Sequence, residues 1–465
     1  MFTKKKTKIV ATIGPCTESV GMLKKLVEAG LNVVRLNMSH GDHAEHHIRI
    51  QNARKVEKEM GVSLPILLDL SGPKIRTGEY ETERITIQKG KTVVLTSQKI
   101  VGNENRFSVN YPKLPQEVKK GSIIMLDDGK KKLEVVKIEG TEITCKVVVG
   151  GELKPRRGVN VPGAYLSVSS ITPKDRKDIK FALQEGIDIV ALSFVRTAKD
   201  VLDLRKLLKD APEYIPIIAK IETQEAMDNL DAILDAADGA MVARGDLAIE
   251  VPTELVPVYQ KMIINKCNAL GKPVITATQM LESMIHSPVP TRAEVSDIAN
   301  AIYDGTDAVM LSEESTLGEY PIEAVQVMTR VAEANEIPEV LDYSPMTVSD
   351  SISRSVYKTA NNIRAKYIVA LTETGKCARL VERFNPNVPI IALTPHHKTV
   401  QNLGLTSNVI PYQIPQLGSF DEVFQFVPEY LLKKKLVKKG DKLVVTAGVP
   451  FAVAGSTNIC LVITV

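Results

Sequence analysis

Ile217-Ile218-Ala219-Lys220-Ile221-Glu222 ends an apolar run in alternating charge. A strand buried on both faces wants a near-continuous apolar run, and an unpaired charge in a core is costly. The economical reading is a strand that emerges from a core at Lys220, with Lys220 and Glu222 on one side by the two-residue period of a strand. Further on, Ala240-Met241-Val242-Ala243-Arg244-Gly245-Asp246 repeats the plan, an apolar run ending in a carboxylate. Two strand ends thus bring a lysine and two acids to one point. Glu222 and Asp246 are hard oxygen ligands of the kind Mg²⁺ takes, with coordination positions left for water and substrate. Alone, either stretch also reads as an ordinary ion pair at a strand end.

On both sides, short apolar runs alternate with helix-period stretches. The runs are 8–13, 33–37, 66–69, 189–194, 217–222, 240–243, 274–278 and 308–311. Eight β-runs separated by amphipathic segments such as 22–29 and 198–208 predict a parallel (β/α)8 TIM barrel. Their C-terminal tips carry Arg35, Asn37, Asp69, Ser193, Lys220, Glu222, Asp246, Thr278, Ser312 and Glu314, on the face where such a barrel builds its active site. Barrel residues are expected over 1–72 and 164–338.

Residues 73–163 lack a helical period and read as short strands at 85–87, 92–96, 122–126, 132–138 and 142–149, with Asp128-Gly129 and Gly150-Gly151 as hairpin dipeptides. This predicts a small β-barrel domain inserted in a loop on the active-site face, suited to a lid; an insertion without function is the other reading. A link with Pro338 and Pro345 leads to residues 346–465, where helices (349–363, 376–384, 397–403, 420–432) alternate with strands (367–371, 390–393, 408–412, 442–446, 459–464) as an open α/β domain. Thr372-Glu373-Thr374-Gly375-Lys376 lies between a strand and a helix and reads either as a phosphate cradle or as an ordinary N-cap.

A chain of 465 residues, 44% hydrophobic and 25% charged, is an ordinary multi-domain globular protein. A net charge of +4 argues for no nucleic-acid or membrane partner, and no apolar run reaches membrane-spanning length. Lys4-Lys5-Lys6 leads into a short strand, unlike a signal peptide. The five cysteines are scattered without a Cys-x-x-Cys pair, which fits free thiols in a reducing cytoplasm and offers no zinc site.

Arg35, Arg76 and Lys220 are cations suited to a phosphate, Glu222 and Asp246 to a divalent metal, and Thr278 offers a hydroxyl opposite them. Gly245 lets backbone N–H groups approach a small carboxylate. No Ser-His-Asp arrangement or Walker loop is present, so a nucleotide would be held by metal, arginines and lid. Of the histidines, His40 alone lies beside the tips; His43, His46 and His47 are expected on a solvated helix face. Phosphoryl transfer from a carboxylated, phosphorylated small molecule fits best.

Arg35-Leu36-Asn37-Met38-Ser39-His40-Gly41, the blocks at 217–225, 241–247, 276–282 and 290–297, and Gly158-Val159-Asn160-Val161-Pro162-Gly163 together resemble the pyruvate kinases, over nearly the full length. The resemblance implies a cytoplasmic homotetramer with a capping lid and a C-terminal regulatory domain. It implies transfer of phosphate from phosphoenolpyruvate to ADP with Mg²⁺ (or Mn²⁺), giving pyruvate and ATP at the end of glycolysis. By position, Arg35 would bind the substrate phosphate and Lys220 stabilise the transferring phosphoryl group and the enolate. Glu222 and Asp246 would hold the metal, Gly245, Asp246 and Thr278 the substrate carboxylate, and Asn37, His40, Arg76 and Arg157 the nucleotide. Thr278 would also sit where a relay protonates the enolate, and Thr372, Thr374, Gly375 and Lys376 match an effector loop for a sugar phosphate or AMP.

The main departure is Asp69-Leu70-Ser71-Gly72-Pro73-Lys74-Ile75-Arg76. Many members have Thr-Lys after the Asp and Glu before the Ile-Arg, and those use K⁺. At the monovalent-cation site Asn37, Ser39 and Asp69 remain, Leu70 and Ser71 stand where those members have Thr-Lys, and Lys74 replaces the acid. Its ammonium would repel K⁺ and stand in for it, by about 4 kcal/mol between unit charges at 4 Å in an effective dielectric of 20. The resemblance includes a K⁺-independent group with this lysine; a Lys74 that merely points to solvent is the other reading. A metal-dependent barrel lyase acting on a pyruvate enolate would share Lys220, Glu222 and Asp246, but would need neither Arg76 nor a lid.

Overall fold

The eight runs form one closed parallel barrel, with strands Lys8–Thr12, Val33–Asn37, Ile66–Asp69, Ile189–Leu192, Ile217–Ile221, Gly239–Ala243, Val274–Ala277 and Ala308–Leu311 in order around it. The first strand closes the barrel against the eighth, Lys8 opposite Ala308. The computed structural model describes residues 5–336, 347–450 and 457–465. The expected link at Pro338 and Pro345 therefore lies outside the described residues.

Strand alternation decides what reaches the active-site face. Ile217, Ala219 and Ile221 pack outward against the helices, while Ile218 packs inside the barrel with Val10, Val33, Leu67, Ala191 and Met241. Two residues beyond these interior positions stand Lys220, Thr12, Arg35, Asp69 and Ser193, so the top layer of the interior is polar while the layers beneath are apolar. The helices start and stop where local chemistry directs: Pro173–Glu185 begins in a Thr172/Asp175 capping box and ends at the left-handed Gly186. Among the described residues no helix is long and apolar enough to cross a membrane.

The insertion has a six-stranded sheet, in the order Val159–Asn160, Ile123–Leu126, Lys131–Glu139, Glu142–Val149, Thr92–Thr96, Arg106–Ser108, and a two-stranded sheet of Ile85–Ile87 with Gly151–Leu153. They enclose a core around Phe107, Leu95, Leu133 and Ile143. Asp127, Asp128 and Gly129, all at positive φ, make the expected hairpin turn. Gly150-Gly151 does not. There the chain leaves one sheet for the other, and Gly150 is needed because a Cβ would fall 2.3 Å from Ile87 O.

The C-terminal domain is a five-stranded sheet ordered Val409–Gln413, Ile390–Thr394, Tyr367–Leu371, Lys442–Ala447, Ile459–Thr464, with the last strand antiparallel. Its Leu405 joins the barrel's interior cluster and seals the underside. The N-terminal segment binds both bodies: Lys6 N donates to Glu336 Oε1 (2.7 Å), Asn408 N to Lys6 O (3.0 Å) and Lys8 Nζ to Val409 O (2.8 Å).

Candidate active site

At the barrel's polar layer, Lys220 Nζ donates to Ser193 Oγ (2.7 Å) and lies 2.9 Å from Glu222 Oε1 and 3.3 Å from Asp69 Oδ1. Arg35 donates through Nε to Asp69 Oδ2 (2.8 Å) and through Nη1 to Thr12 Oγ1 (2.6 Å). Burial acts to lower the Lys220 pKa, but the Asp69 and Glu222 carboxylates outweigh it and hold it above the ordinary lysine value. Burial likewise opposes ionisation of Asp69, and Lys220 with Arg35 reverses that and holds it below the usual carboxylate value. Glu222 goes the other way: burial pushes its pKa up and the Asp246 charge adds to it, beyond what Lys220 recovers.

Glu222 Oε2 accepts from Phe194 N (2.6 Å), while Oε1 is buried without a hydrogen bond and faces the Lys220 ammonium at 2.9 Å. A buried, raised carboxylate with one oxygen met only by an ion pair, beside a second carboxylate, fits a divalent cation's donor set. Among the described residues no group of three or more His, Cys, Asp or Glu gathers as a metal cage. Two carboxylates suit a cation that keeps positions for water and substrate.

Asp246 follows Gly245 in the short helix Arg244–Glu250, which turns off the sixth strand. Gly245 N donates to Thr278 Oγ1 (2.8 Å), and that hydroxyl donates to Ala277 O (2.6 Å). Thr278 sits at φ 68°, outside the range a β-branched residue normally adopts. Arg244, to which the sequence reading gave no role, donates to Thr278 O (2.8 Å) and Ala277 O (3.2 Å). Its sequence signal was its place beside Gly245 and Asp246, which says nothing of what its side chain reaches.

Between barrel and lid opens a cleft of about 470 Å³, lined among others by His40, Lys74, Arg76, Arg157, Asp246 and Glu250. Partial burial, then the charges of Lys74, Arg76 and Arg35, lower the His40 pKa, a sign of a cationic wall. The lid meets the barrel where Asn160 Nδ2 donates to Glu250 Oε1 (2.8 Å). His46 corrects the expectation of a solvated face: it is buried, and its Nε2 bonds His40 O (2.9 Å), bracing the loop that carries His40. His43 and His47 do lie toward solvent, paired with Asp178 and Glu185.

At the predicted monovalent-cation positions, Asn37 Oδ1 accepts from Ser39 N (3.0 Å), Leu70 O from Ser193 Oγ (2.7 Å), and Asp69 is shared by Arg35 and Lys220. Lys74 is exposed at the cleft. The Thr372–Lys376 loop lies far along the chain in the other domain. There Thr372 is buried and its hydroxyl accepts from Gly375 N (2.9 Å), while Thr374 and Lys376 are exposed.

Two family models match the chain: the pyruvate kinase barrel domain over residues 4–325 and the pyruvate kinase alpha/beta domain over 350–463. A pyruvate kinase of Geobacillus stearothermophilus is 48% identical over 98% of this chain and 80% of its own length. One of Clostridium acetobutylicum is 44% identical over 97% and 98%. The crystal structure of a pyruvate kinase from Cryptosporidium parvum superposes with a TM-score of 0.92 at 37% identity, covering 99% of this chain and 96% of that one. A closed barrel with a lid, a separate α/β domain and a Lys–Glu–Asp cluster at the strand tips agrees with these matches along the whole sequence: the chain belongs to the pyruvate kinase family, and is a phosphotransferase whose family acts on phosphoenolpyruvate and ADP or ATP with a divalent metal.

Proposed function

We propose that the Arg35–Lys220–Glu222–Asp246–Thr278 constellation carries the reaction with Mg²⁺, and that the enzyme works without K⁺. The observation that carries the first part is the buried, unbonded Glu222 Oε1 facing Lys220 beside Asp246. A divalent cation held by Glu222 and Asp246 supplies charge neutralisation between the substrate's carboxylate and phosphate. Lys220, kept protonated by Asp69 and Glu222, acts as a fixed cation and not as an acid or base: it stabilises the charge on the transferring phosphoryl group and on the enolate oxygen left behind. Arg35, oriented by Asp69 and Thr12, binds the phosphate in the ground state. The Gly245 and Asp246 N–H groups and the Thr278 hydroxyl hold the substrate carboxylate, and Thr278 stands at the end of the path by which a proton reaches the enolate carbon. Asn37, His40, Arg76 and Arg157 bind the nucleotide phosphates under the 73–163 lid.

For the monovalent site, support comes from the occupied acceptors. Asp69, Leu70 O and Asn37 Oδ1 already have protein donors, and Lys74 supplies positive charge at the cleft. An effector with a phosphate group at Thr374 and Lys376, and a homotetramer, complete the proposal. The deciding assay is pyruvate formation from phosphoenolpyruvate and ADP with Mg²⁺, in KCl and in tetramethylammonium chloride at equal ionic strength. Equal turnover is expected. Silence in both salts, with Mg²⁺ or Mn²⁺ and with sugar phosphates or AMP added, sinks the assignment of the reaction. Lys74→Glu is expected to lower turnover in K⁺-free buffer by about tenfold or more, about 1.4 kcal/mol of barrel-top electrostatics, with KCl restoring it. A variant indifferent to KCl returns Lys74 to a solvent role.

A further inference from the structure

The Arg244 guanidinium ties three elements to one another. Nε donates to Ala277 O (3.2 Å) and Nη2 to Thr278 O (2.8 Å) at the tip of the seventh strand; Nη1 donates to Asp297 Oδ1 (2.7 Å) on helix Arg292–Tyr303 and to Gln260 Oε1 (3.4 Å) on helix Val256–Leu270. Only 12% of its side chain is exposed, and its charge is met by Asp297 rather than by anything in the cleft. One of the residues it grips is in an unfavourable conformation. Thr278 (φ 68°) and Gln279 (φ 53°) both occupy the left-handed region, and a non-glycine backbone stays there only where its surroundings over-determine it. Arg244 is also the neighbour of Gly245, whose N–H bonds the Thr278 hydroxyl. One side chain therefore fixes the sixth-strand turn and the seventh-strand tip relative to each other.

We propose that Arg244 is a positioning residue. It holds Thr278 in its left-handed conformation and so keeps the Thr278 hydroxyl where it accepts from Gly245 N–H, at a fixed place on the tip of the seventh strand, with Asp297 seating the guanidinium. Neither Arg244 nor Asp297 touches substrate. The inference rests on the role proposed above for Thr278, and the test separates the two.

The test is a double-mutant cycle of Arg244→Lys and Thr278→Val, read as kcat and KM for each substrate, with deuterium exchange into the methyl group of pyruvate in D₂O as the proton-transfer readout. Lysine keeps the charge for Asp297 but cannot reach both carbonyls. Valine keeps the shape and branching of threonine and loses the hydroxyl. Arg244→Lys is expected to lower kcat and the exchange rate together, by about 10- to 100-fold, with KM for ADP unchanged. In the Thr278→Val background the same substitution should change kcat by no more than about twofold, because its target is already gone. Multiplicative losses in the double variant overturn the inference, as does Arg244→Lys with wild-type kcat. Thr278→Val at the wild-type rate overturns instead the role given to Thr278. Should Arg244→Lys fail to fold, Asp297→Asn enters the cycle in its place, with the same non-additivity expected and the same outcome overturning it.

Discussion

Lys220→Gln is expected to lower kcat for pyruvate formation by about 10³-fold or more, because it removes a preorganised cation aimed at charge that develops only in the transition state. The same substitution tests the electrostatics of the resting site. Lys220 lies against Asp69 and Glu222, and both are buried. Asp69 keeps Arg35, but Glu222 is left with no cation beside it, and breaking a buried pair from one side costs about 3–5 kcal/mol. The metal-free variant should therefore unfold several degrees below the wild type. Mg²⁺ should recover much of that difference by bringing charge to the same carboxylates, without recovering turnover. Thermal unfolding with and without Mg²⁺, beside steady-state kinetics, separates the two effects. A kcat within about tenfold of wild type would remove Lys220 from the chemistry.

Glu222→Gln is the complementary experiment. The amide cannot serve as an anionic ligand, so Mn²⁺ binding should weaken by about 10²-fold or more and turnover should fall with it. The pH dependence has a definite sign. Because the folded protein holds the Glu222 proton more tightly than the unfolded chain does, the stabilising contribution is complete below the unfolded carboxylate pKa and is lost as pH rises through the raised folded value. Metal-free wild type should thus lose stability between acid and neutral pH relative to Glu222→Gln, whose curve lacks that component. Metal affinity of the wild type runs in the opposite direction, since protons compete for the ligand: it should rise across the same interval. Calorimetric unfolding and Mn²⁺ titrations over that range check both slopes. Parallel stability curves for the two proteins would mean that Glu222 ionises as an ordinary carboxylate.

Much of the barrel was legible because strands buried on both faces write themselves as apolar runs, and because a polar residue two places beyond an interior one has to surface at the tip. Lys220 and Glu222 show the rule at work: alternation puts both on one side, and they meet at 2.9 Å. The shorter lid strands were missed for the converse reason. Arg106–Ser108, Gly151–Leu153 and Val159–Asn160 span three, three and two residues, too few to establish a period, and they exist because neighbouring strands offer an edge. Gly150 misled because a glycine demanded by close backbone approach looks the same in sequence as one demanded by a turn. His46 and Arg244 were illegible in another way. Their partners, His40 O in one case and residues 277, 278 and 297 in the other, are assembled by tertiary structure, so neither the helix-face histidine nor the arginine gave a local sign of enclosure.

The seam between the first and eighth strands governs the order in which this molecule can be made. Lys8 has no partner strand on one side until Ala308 has left the ribosome, while several of the lid's ladders join segments close in sequence, such as Ile123–Leu126 with Lys131–Glu139. Local pairings form early and closures across such a separation form late, since ordering the intervening chain precedes the gain. During synthesis the lid is thus free to fold while the barrel around it is still an open, edge-exposed sheet, and the first strand, paired with Val33–Asn37 on one side, waits for its partner on the other. Its residues then take up Glu336 and the backbone at 408 and 409 as well. Residues early in the sequence are thus among the last to find their place, and their docking reports that the barrel is closed and the C-terminal domain attached.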